Sequence, residues 1–189
     1  MKIAFNSVPL KTGHLTRGIG SYTKNLINAL KDIPDINIQE FSELSQIKGA
    51  DIVHYPFFDL FQATLPIRKR FPTVVTVHDV IPLIFPKNYP IGPKGILANA
   101  IQRFSLKGAR AIITDSQASK KDIAKYLGVP LKNIFPIYLA PASHFVHVEN
   151  REIKNTISQK YNLPEKFILY AGNVNWNKNL VNMAKACKE

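Results

Sequence analysis

Along the chain, segments in which apolar positions recur with a period of about two alternate with segments in which they recur with a period of about 3.6. Six short apolar runs predict strands, namely "KIAFN", "INIQEF", "DIVHYP", "TVVTV", "RAIITD" and "NIFPIYL". The run "TVVTV" is β-branched throughout, which is typical of a strand in the middle of a sheet that is covered on both faces. Pro136 in the last run predicts an edge strand or a bulge, because proline cannot donate to the ladder.

Segments between these strands have the apolar periodicity of helices. The first predicted helix has these residues on one face: Ile19, Tyr22, Leu26, Ile27 and Leu30. The second has these: Ile96, Leu97, Ala100, Ile101 and Phe104. For the third, Ser119 is the predicted N-cap, with Asp122 as its capping-box partner and Gly128 at the end.

Strands that alternate with helices imply parallel pairing through right-handed crossovers. We therefore predict an α/β fold, a Rossmann-like doubly wound and mostly parallel sheet, over residues 1–145. Near "LAPASHFVHVEN" the periodicity is lost, which predicts a linker. Residues 146–189 contain the rest of the linker, a predicted helix, a predicted strand "FILYAG" and the start of another helix. About 40 residues rarely fold alone, so we interpret this part as the first unit of a truncated second domain, rather than as a tail that packs on the first domain or pairs with another chain.

The formal net charge of +12, from 25 Lys and Arg against 13 Asp and Glu, favours an acidic partner or reflects a solvated, lysine-rich surface. The cations are scattered, so a nucleic-acid partner is not expected. Cys187 is the single cysteine, which excludes an internal disulfide. The N-terminal apolar run is too short for a signal peptide, and no run is long enough to span a bilayer. We expect a cytoplasmic protein, at most peripheral to a membrane.

Candidate chemistry follows the predicted strands, since ligands of open parallel sheets bind beyond the carboxyl ends of the strands. The segments "TRGIGSY", "HYPFFD", "HDVIPLIFP" and "DSQASKKD" should meet at that edge. Gly18 and Gly20 open a helix, where free amides favour a phosphate, although a tight turn would also need them. His78 could act as an acid, a base or a hydrogen-bond partner of a hydroxyl group, or be purely structural. Asp79 could cap the loop that follows.

No metal and no cofactor are expected. The histidines are dispersed without ligand spacing, at His14, His54, His78, His144 and His147. No Asp-x-Asp pair is present to hold Mg²⁺ or Mn²⁺ at a diphosphate.

Five segments in order resemble the retaining glycosyltransferases of family four: "RGIGSYTKNLINAL", "DIVHYPFFD", "PTVVTVHDVIPLIFPKNYP", "AIITDSQASKKDIAKYLGV" and "FILYAGNVNWNKNL". The resemblance implies a GT-B fold, in which an acceptor-side domain faces a donor domain. It implies that Gly18 and Gly20 approach the donor diphosphate, that His78 faces the transferring sugar and that Lys178 neutralises the leaving group. Asn173 stands where family members commonly carry an arginine of the diphosphate clamp.

The acidic E-x-x-x-x-x-x-x-E motif, which holds the donor in this family, would lie beyond Glu189. These 189 residues alone are therefore expected to be inactive. The acceptor-side candidates, which lie in the loops after the strands, are Arg17, Tyr55, Asp59, Asp79 and Ser116.

The expected partners are a nucleotide sugar and a glycan or glycolipid acceptor. The apolar loop "VIPLIFPKNYP" could hold a lipid tail or lie on a membrane, but we favour packing beneath the loop. A free edge at "FILYA" would favour a homo-oligomer or other strand pairing. Two alternative functions stay open: a non-catalytic glycan- or glycolipid-binding module that works with a separate donor-domain subunit, and a sugar-nucleotide epimerase.

Overall fold

The structure, a computed structural model, describes residues 1–142 and 145–188. It divides into two compact units, Met1–Ala140 and Pro141–Glu189. The division falls inside the predicted linker, of which Ser143 and His144 lie outside the described residues.

The first unit is built on a sheet of six strands, all parallel. The strands are β1 (Lys2–Asn6), β2 (Asn37–Phe41), β3 (Ile52–Tyr55), β4 (Thr73–Thr76), β5 (Ala111–Thr114) and β6 (Ile134–Pro136). Their order, β2-β1-β3-β4-β5-β6, has a switch point between β1 and β3, where the sheet starts to grow in the opposite direction. This confirms the predicted α/β, Rossmann-like, doubly wound sheet. The central position of β4 and the edge position of β6 are also as predicted.

The helices of the first unit are α1 (Gly18–Lys31), α2 (Ile81–Ile84), α3 (Pro93–Lys107) and α4 (Gln117–Leu127). Short 3-10 turns span Val8–Lys11, Leu44–Gln46 and Leu131–Asn133. Within the described residues, no helix combines the length and the apolar composition that crossing a bilayer requires.

The predicted N-cap of α4 is wrong by one turn. Ser116 is the cap, and its Oγ accepts a hydrogen bond from the Ser119 amide at 3.0 Å. The helix begins earlier because only two residues separate it from β5, so the first hydroxyl after the strand meets the free amides. Gly128 ends the helix with φ 70°, in the left-handed region, as predicted.

Both faces of the sheet are covered. On one face, Ile3 and Phe5 of β1 pack with Ile27 of α1. On the other, strand residues such as Val75 share a larger core with Ile123 of α4. The α1 face also includes a hydrogen-bonded polar layer, formed by Tyr22, Thr76 and His54.

The apolar loop after β4 mostly packs against its own domain, which was the favoured interpretation. Val80 is fully buried, and Leu83 and Ile84 pack against the larger core. The helix α3 differs from expectation: its predicted apolar face is exposed, whereas Gln102 and Ser105 are buried.

The second unit contains α5 (Arg151–Lys160), a 3-10 turn Trp176–Lys178 and α6 (Leu180–Ala186). The predicted strand "FILYAG" is not formed, because residues 145–188 contain no second strand to satisfy its backbone groups. Pairing of "FILYA" with another chain stays a prediction. None of this unit's described residues is buried. That it begins a donor domain stays a prediction.

The buried histidine of β3 makes stability depend on pH. Burial lowers the pKa of His54 from 6.5 to about 4. The unfolded chain therefore takes up a proton at this side chain between pH 6.5 and 4 while the folded chain does not, so stability falls as the pH falls through that window. The shift corresponds to about 3 kcal/mol of unfolding free energy.

We expect His54→Gln to remove that slope, as measured by urea unfolding at a series of pH values between 4 and 7. His147→Gln, at an exposed histidine, is the matched control and should keep the wild-type slope. A His54→Gln slope equal to that of the wild type would contradict the assignment.

Candidate active site

The carboxyl ends of the parallel strands carry two neighbouring features, a cavity at the β1/β3 switch point and a His–Asp pair after β4 and β5. The cavity has a volume of about 870 Å³. It is lined by segments that follow β1, β2 and β3, which is where ligands bind in open parallel sheets.

Aromatic rings and uncharged polar groups dominate the cavity lining. Phe41, Tyr55 and Phe57 supply the rings, and the polar groups include Asn6, Thr12, Ser42 and Gln62. Among the described lining residues, Arg17 and Asp59 are the single cation and the single carboxylate. Three of the predicted acceptor-side residues, Arg17, Tyr55 and Asp59, thus line one cavity.

Tyr55 and Asp59 are fixed by their surroundings. The Tyr55 ring packs edge-on against Phe41 with centroids 5.7 Å apart, and burial raises the pKa of Tyr55 to about 12. Its phenol stays neutral at physiological pH. The Asp59 Oδ1 accepts the Phe61 amide at 2.7 Å, while the Asp59 amide donates to the Thr64 hydroxyl at 3.1 Å. This turn holds the Asp59 side chain at the cavity wall.

His78 lies after β4 and pairs with Asp115, which lies after β5. The His78 Nδ1 is 2.8 Å from the Asp115 Oδ2. Because a carboxylate only accepts hydrogen bonds, Nδ1 carries the proton. In the neutral imidazole, Nε2 is then the acceptor. Neither the buried His78 Nε2 nor the buried Asp115 Oδ1 has a hydrogen-bond partner among the described residues.

Tyr22 of α1 connects His78 to the buried polar layer. Its ring meets the imidazole of His78 edge-on, with centroids 4.8 Å apart. The Tyr22 hydroxyl and the Thr76 hydroxyl lie 3.1 Å apart, and the His54 Nε2 lies 3.0 Å from the same Thr76 oxygen. Burial is the main cause that raises the pKa of Tyr22, so its phenol stays neutral. The first turn of α1 therefore fixes one side of the His78 ring.

The two glycines at the start of α1 differ. The Gly20 amide donates to the His14 carbonyl oxygen at 3.1 Å, and a Cβ on Gly20 would overlap the backbone of His14 and Leu15. Gly20 is therefore required by the close approach of its own loop, and its amide is already used. Gly18 has open space around its Cβ position. The role of either glycine at a donor diphosphate stays a prediction.

Asp79 and Ser116 have local structural partners. The Asp79 Oδ1 accepts the Ile81 amide at 3.0 Å at the start of α2, which is the capping role noted above. Ser116 caps α4. Like His78, these two residues are not among the lining residues of the cavity.

Two of the four predicted donor-side residues, Asn173 and Lys178, lie in the second unit. The Asn173 carbonyl oxygen accepts a hydrogen bond from the Tyr170 hydroxyl at 2.8 Å. Lys178 is exposed and ends the 3-10 turn Trp176–Lys178, just before α6. Their predicted contact with a diphosphate stays a prediction.

Sequence reasoning missed Asp115 and Tyr22. Asp115 is the first residue after β5, the strand next to β4, and that position alone could have linked it to His78. Tyr22 ends the segment "TRGIGSY" that was predicted to reach the edge, but it was assigned to the apolar face of α1 and not to the site. Within the described residues, no group of three or more His, Cys, Asp or Glu is arranged to hold a metal ion.

The close contact at Gly20 predicts a difference between two alanine variants. Gly20→Ala should lower the free energy of unfolding by about 1–3 kcal/mol, because its Cβ overlaps backbone that cannot move away cheaply. Gly18→Ala, the matched control in the same helix turn, should be neutral or stabilising by up to about 1 kcal/mol. Urea unfolding followed by circular dichroism measures both, and equal stabilities would contradict the packing role.

The chain matches a known protein family over more than half of its length. Residues 29–140 match the profile of Glycosyltransferase Family 4, and this stretch is more than half of the chain. No curated protein matches the chain. The matched stretch includes β2 to β6 and both members of the His78–Asp115 pair. The resemblance predicted from the sequence is thereby confirmed at the level of the family, and the chain belongs to Glycosyltransferase Family 4.

Proposed function

We propose that this chain is the acceptor-side part of a glycosyltransferase, one that moves a sugar from a nucleotide-sugar donor to a glycan or lipid-linked acceptor with retention and without a metal. The family supports glycosyl transfer in general. The observation that carries the finer proposal is the His78–Asp115 pair at the carboxyl edge of the sheet, in which the His78 Nε2 has no hydrogen-bond partner among the described residues.

The pair suits a positioning role. In the tautomer with its proton on Nδ1 facing Asp115, the imidazole of His78 offers Nε2 as an acceptor for a hydroxyl group of the transferring sugar. A bond of this kind fixes the sugar relative to the acceptor, and orientation is a large part of the barrier in a group transfer. His78 orients the sugar in this mechanism and does not attack it.

The cavity at the switch point suits the acceptor. Its aromatic rings offer apolar surfaces to the faces of sugar rings, while Arg17, Asp59 and the amide and hydroxyl side chains offer hydrogen bonds to hydroxyl groups. The neutral phenol of Tyr55 adds a donor. We place the acceptor in this cavity.

The leaving group requires cations or amide dipoles, because a nucleoside diphosphate departs readily once its charge is neutralised. Lys178 and Asn173 are our candidates from the second unit, and Gly18 is the candidate from the first. For retention, the acceptor hydroxyl attacks the face from which the diphosphate leaves, and a diphosphate oxygen takes its proton. We infer that the complete enzyme has a GT-B fold with a donor domain.

Transfer is tested with the native protein that contains this sequence. It is incubated with a panel of nucleotide sugars and with glycan and glycolipid acceptors, and the released nucleoside diphosphate and the anomeric configuration of the product are measured. Absence of release with every donor, or an inverted product, would contradict the proposal. The 189-residue chain alone should show little turnover, because residues 145–188 bury none of their side chains and so lack a packed donor wall.

Variants of the pair test its role in that native protein. We expect His78→Ala to lower kcat by about tenfold or more, since one hydrogen bond is worth about 1 kcal/mol and a misplaced sugar costs more. Asp115→Asn should lower kcat less, by about threefold to tenfold, and should change the imidazole tautomer that ¹⁵N NMR reports.

Asp122→Asn, at a half-buried carboxylate of α4, is the matched control and should leave both kcat and the tautomer unchanged. If Asp115→Asn shifts the tautomer while His78→Ala keeps full kcat, the pair is structural and has no place in transfer.

A second candidate, the glycan- or glycolipid-binding module, is favoured by one observation: the whole cavity is built from residues between Asn6 and Pro66. Glycan binding by the native protein without any turnover would support this module instead. The two functions are therefore separated by the same assay.

A further inference from the structure

The helix α3 has its polar side toward its own domain. Gln102 is fully buried, and its Oε1 accepts hydrogen bonds from the backbone amides of Thr64 and Leu65 at 3.1 and 3.2 Å. Asn99 donates to the Leu60 carbonyl at 2.9 Å, and Ser105 donates to the Pro66 carbonyl at 2.6 Å. The irregular backbone of residues 60–66 needs such partners, so the buried face of α3 is largely polar, although it also buries Leu106.

The apolar side of the same helix is exposed. Ile96, Leu97, Ile101 and Phe104 are 59%, 65%, 40% and 66% exposed. At 100° per residue these side chains, with Ala100 between them, fall within an arc of about 140°. This exposed apolar face of α3 is the reverse of the arrangement in which a surface helix packs its apolar side on the core.

The charged residues in the segment that contains this helix are all of one sign. From Val80 to Thr114 the sequence contains no Asp or Glu, and its five cations are Lys87, Lys94, Arg103, Lys107 and Arg110. All five are exposed, and none forms an ion pair among the described residues. An exposed helix with an apolar face and an exclusively cationic polar rim matches the surface of an anionic bilayer.

We propose that the exposed apolar face of α3 docks this protein on an anionic membrane, with Leu97 and Phe104 in the acyl boundary and the cations against lipid headgroups. A second copy of the chain fits this face less well. A twofold contact would bring two cationic rims together without any carboxylate to pair with them. Membrane docking by α3 does not depend on sugar transfer. It also does not involve the apolar loop after β4, which mostly packs against its own domain.

Vesicle co-sedimentation of the full chain tests the docking. The protein should bind vesicles of phosphatidylcholine with phosphatidylglycerol and bind phosphatidylcholine alone at least about fivefold more weakly. The double variant Leu97→Ser/Phe104→Ser should bind the anionic vesicles at least about tenfold more weakly, since it removes two large apolar contacts. Each of Lys94→Gln and Lys107→Gln should weaken binding about fivefold at low salt.

The matched control is Leu131→Ser, which removes another exposed leucine (53%, against 65% for Leu97) outside this face and should leave binding unchanged. Circular dichroism and thermal unfolding should give the same values for all variants, because the substituted side chains are exposed. Absence of binding by the wild type, equal binding by the double variant, or equal binding to neutral vesicles would overturn the proposal.

A fluorescence reporter tests insertion directly. In a Trp176→Phe background, which removes the single tryptophan, Phe104→Trp should shift its emission to the blue when anionic vesicles are added, and Leu131→Trp should not. If sedimentation equilibrium instead shows a dimer that Leu97→Ser/Phe104→Ser dissociates, the face is a self-association surface and membrane docking is refuted.

Discussion

Parallel pairing of β3, β4 and β5 is the constraint on which the site depends. Parallel strands end at the same edge, so the residues that follow them meet there although they are far apart in sequence. His78 and Asp115 are 37 residues apart and lie 2.8 Å from each other for this reason. The β-branched core of β4 is what makes the arrangement stable, because it lets the strand be buried on both faces.

The start of α1 links the sheet to the site. The Gly20 amide donates a hydrogen bond to the His14 carbonyl oxygen, which closes the loop before α1. Two residues later in the helix, the Tyr22 ring packs against the imidazole of His78. The polar layer behind it, formed with Thr76 and His54, is buried and hydrogen-bonded, which keeps the imidazole from rotating freely. A small family-four domain thus holds its histidine from two sides, by a carboxylate and by an aromatic ring.

In helix α3, side chains also satisfy buried polar groups, but here the result is an exposed apolar face. The backbone of residues 60–66 also helps to line the cavity, and it is irregular. The side chains of Gln102 and Ser105 form hydrogen bonds with this backbone, so the polar side of the helix faces the interior. Its apolar side is left exposed to solvent, and the charged residues near it in the sequence are all cations.

The sequence alone determined the sheet and its helices, because strand and helix periods, β-branched runs and a helix-ending Gly128 act locally and agree with one another. It also predicted that the loops after the strands meet at one edge, where Arg17, Tyr55 and Asp59 line one cavity. Only the tertiary structure decided that Asp115 holds His78, because that contact depends on which strands are neighbours. It also decided which side of α3 faces inward, since periodicity marks an apolar face but the partner of that face is set by what packs against it. The segment "FILYAG" shows the same limit: its pattern is that of a strand, yet a strand exists only where another strand satisfies its backbone.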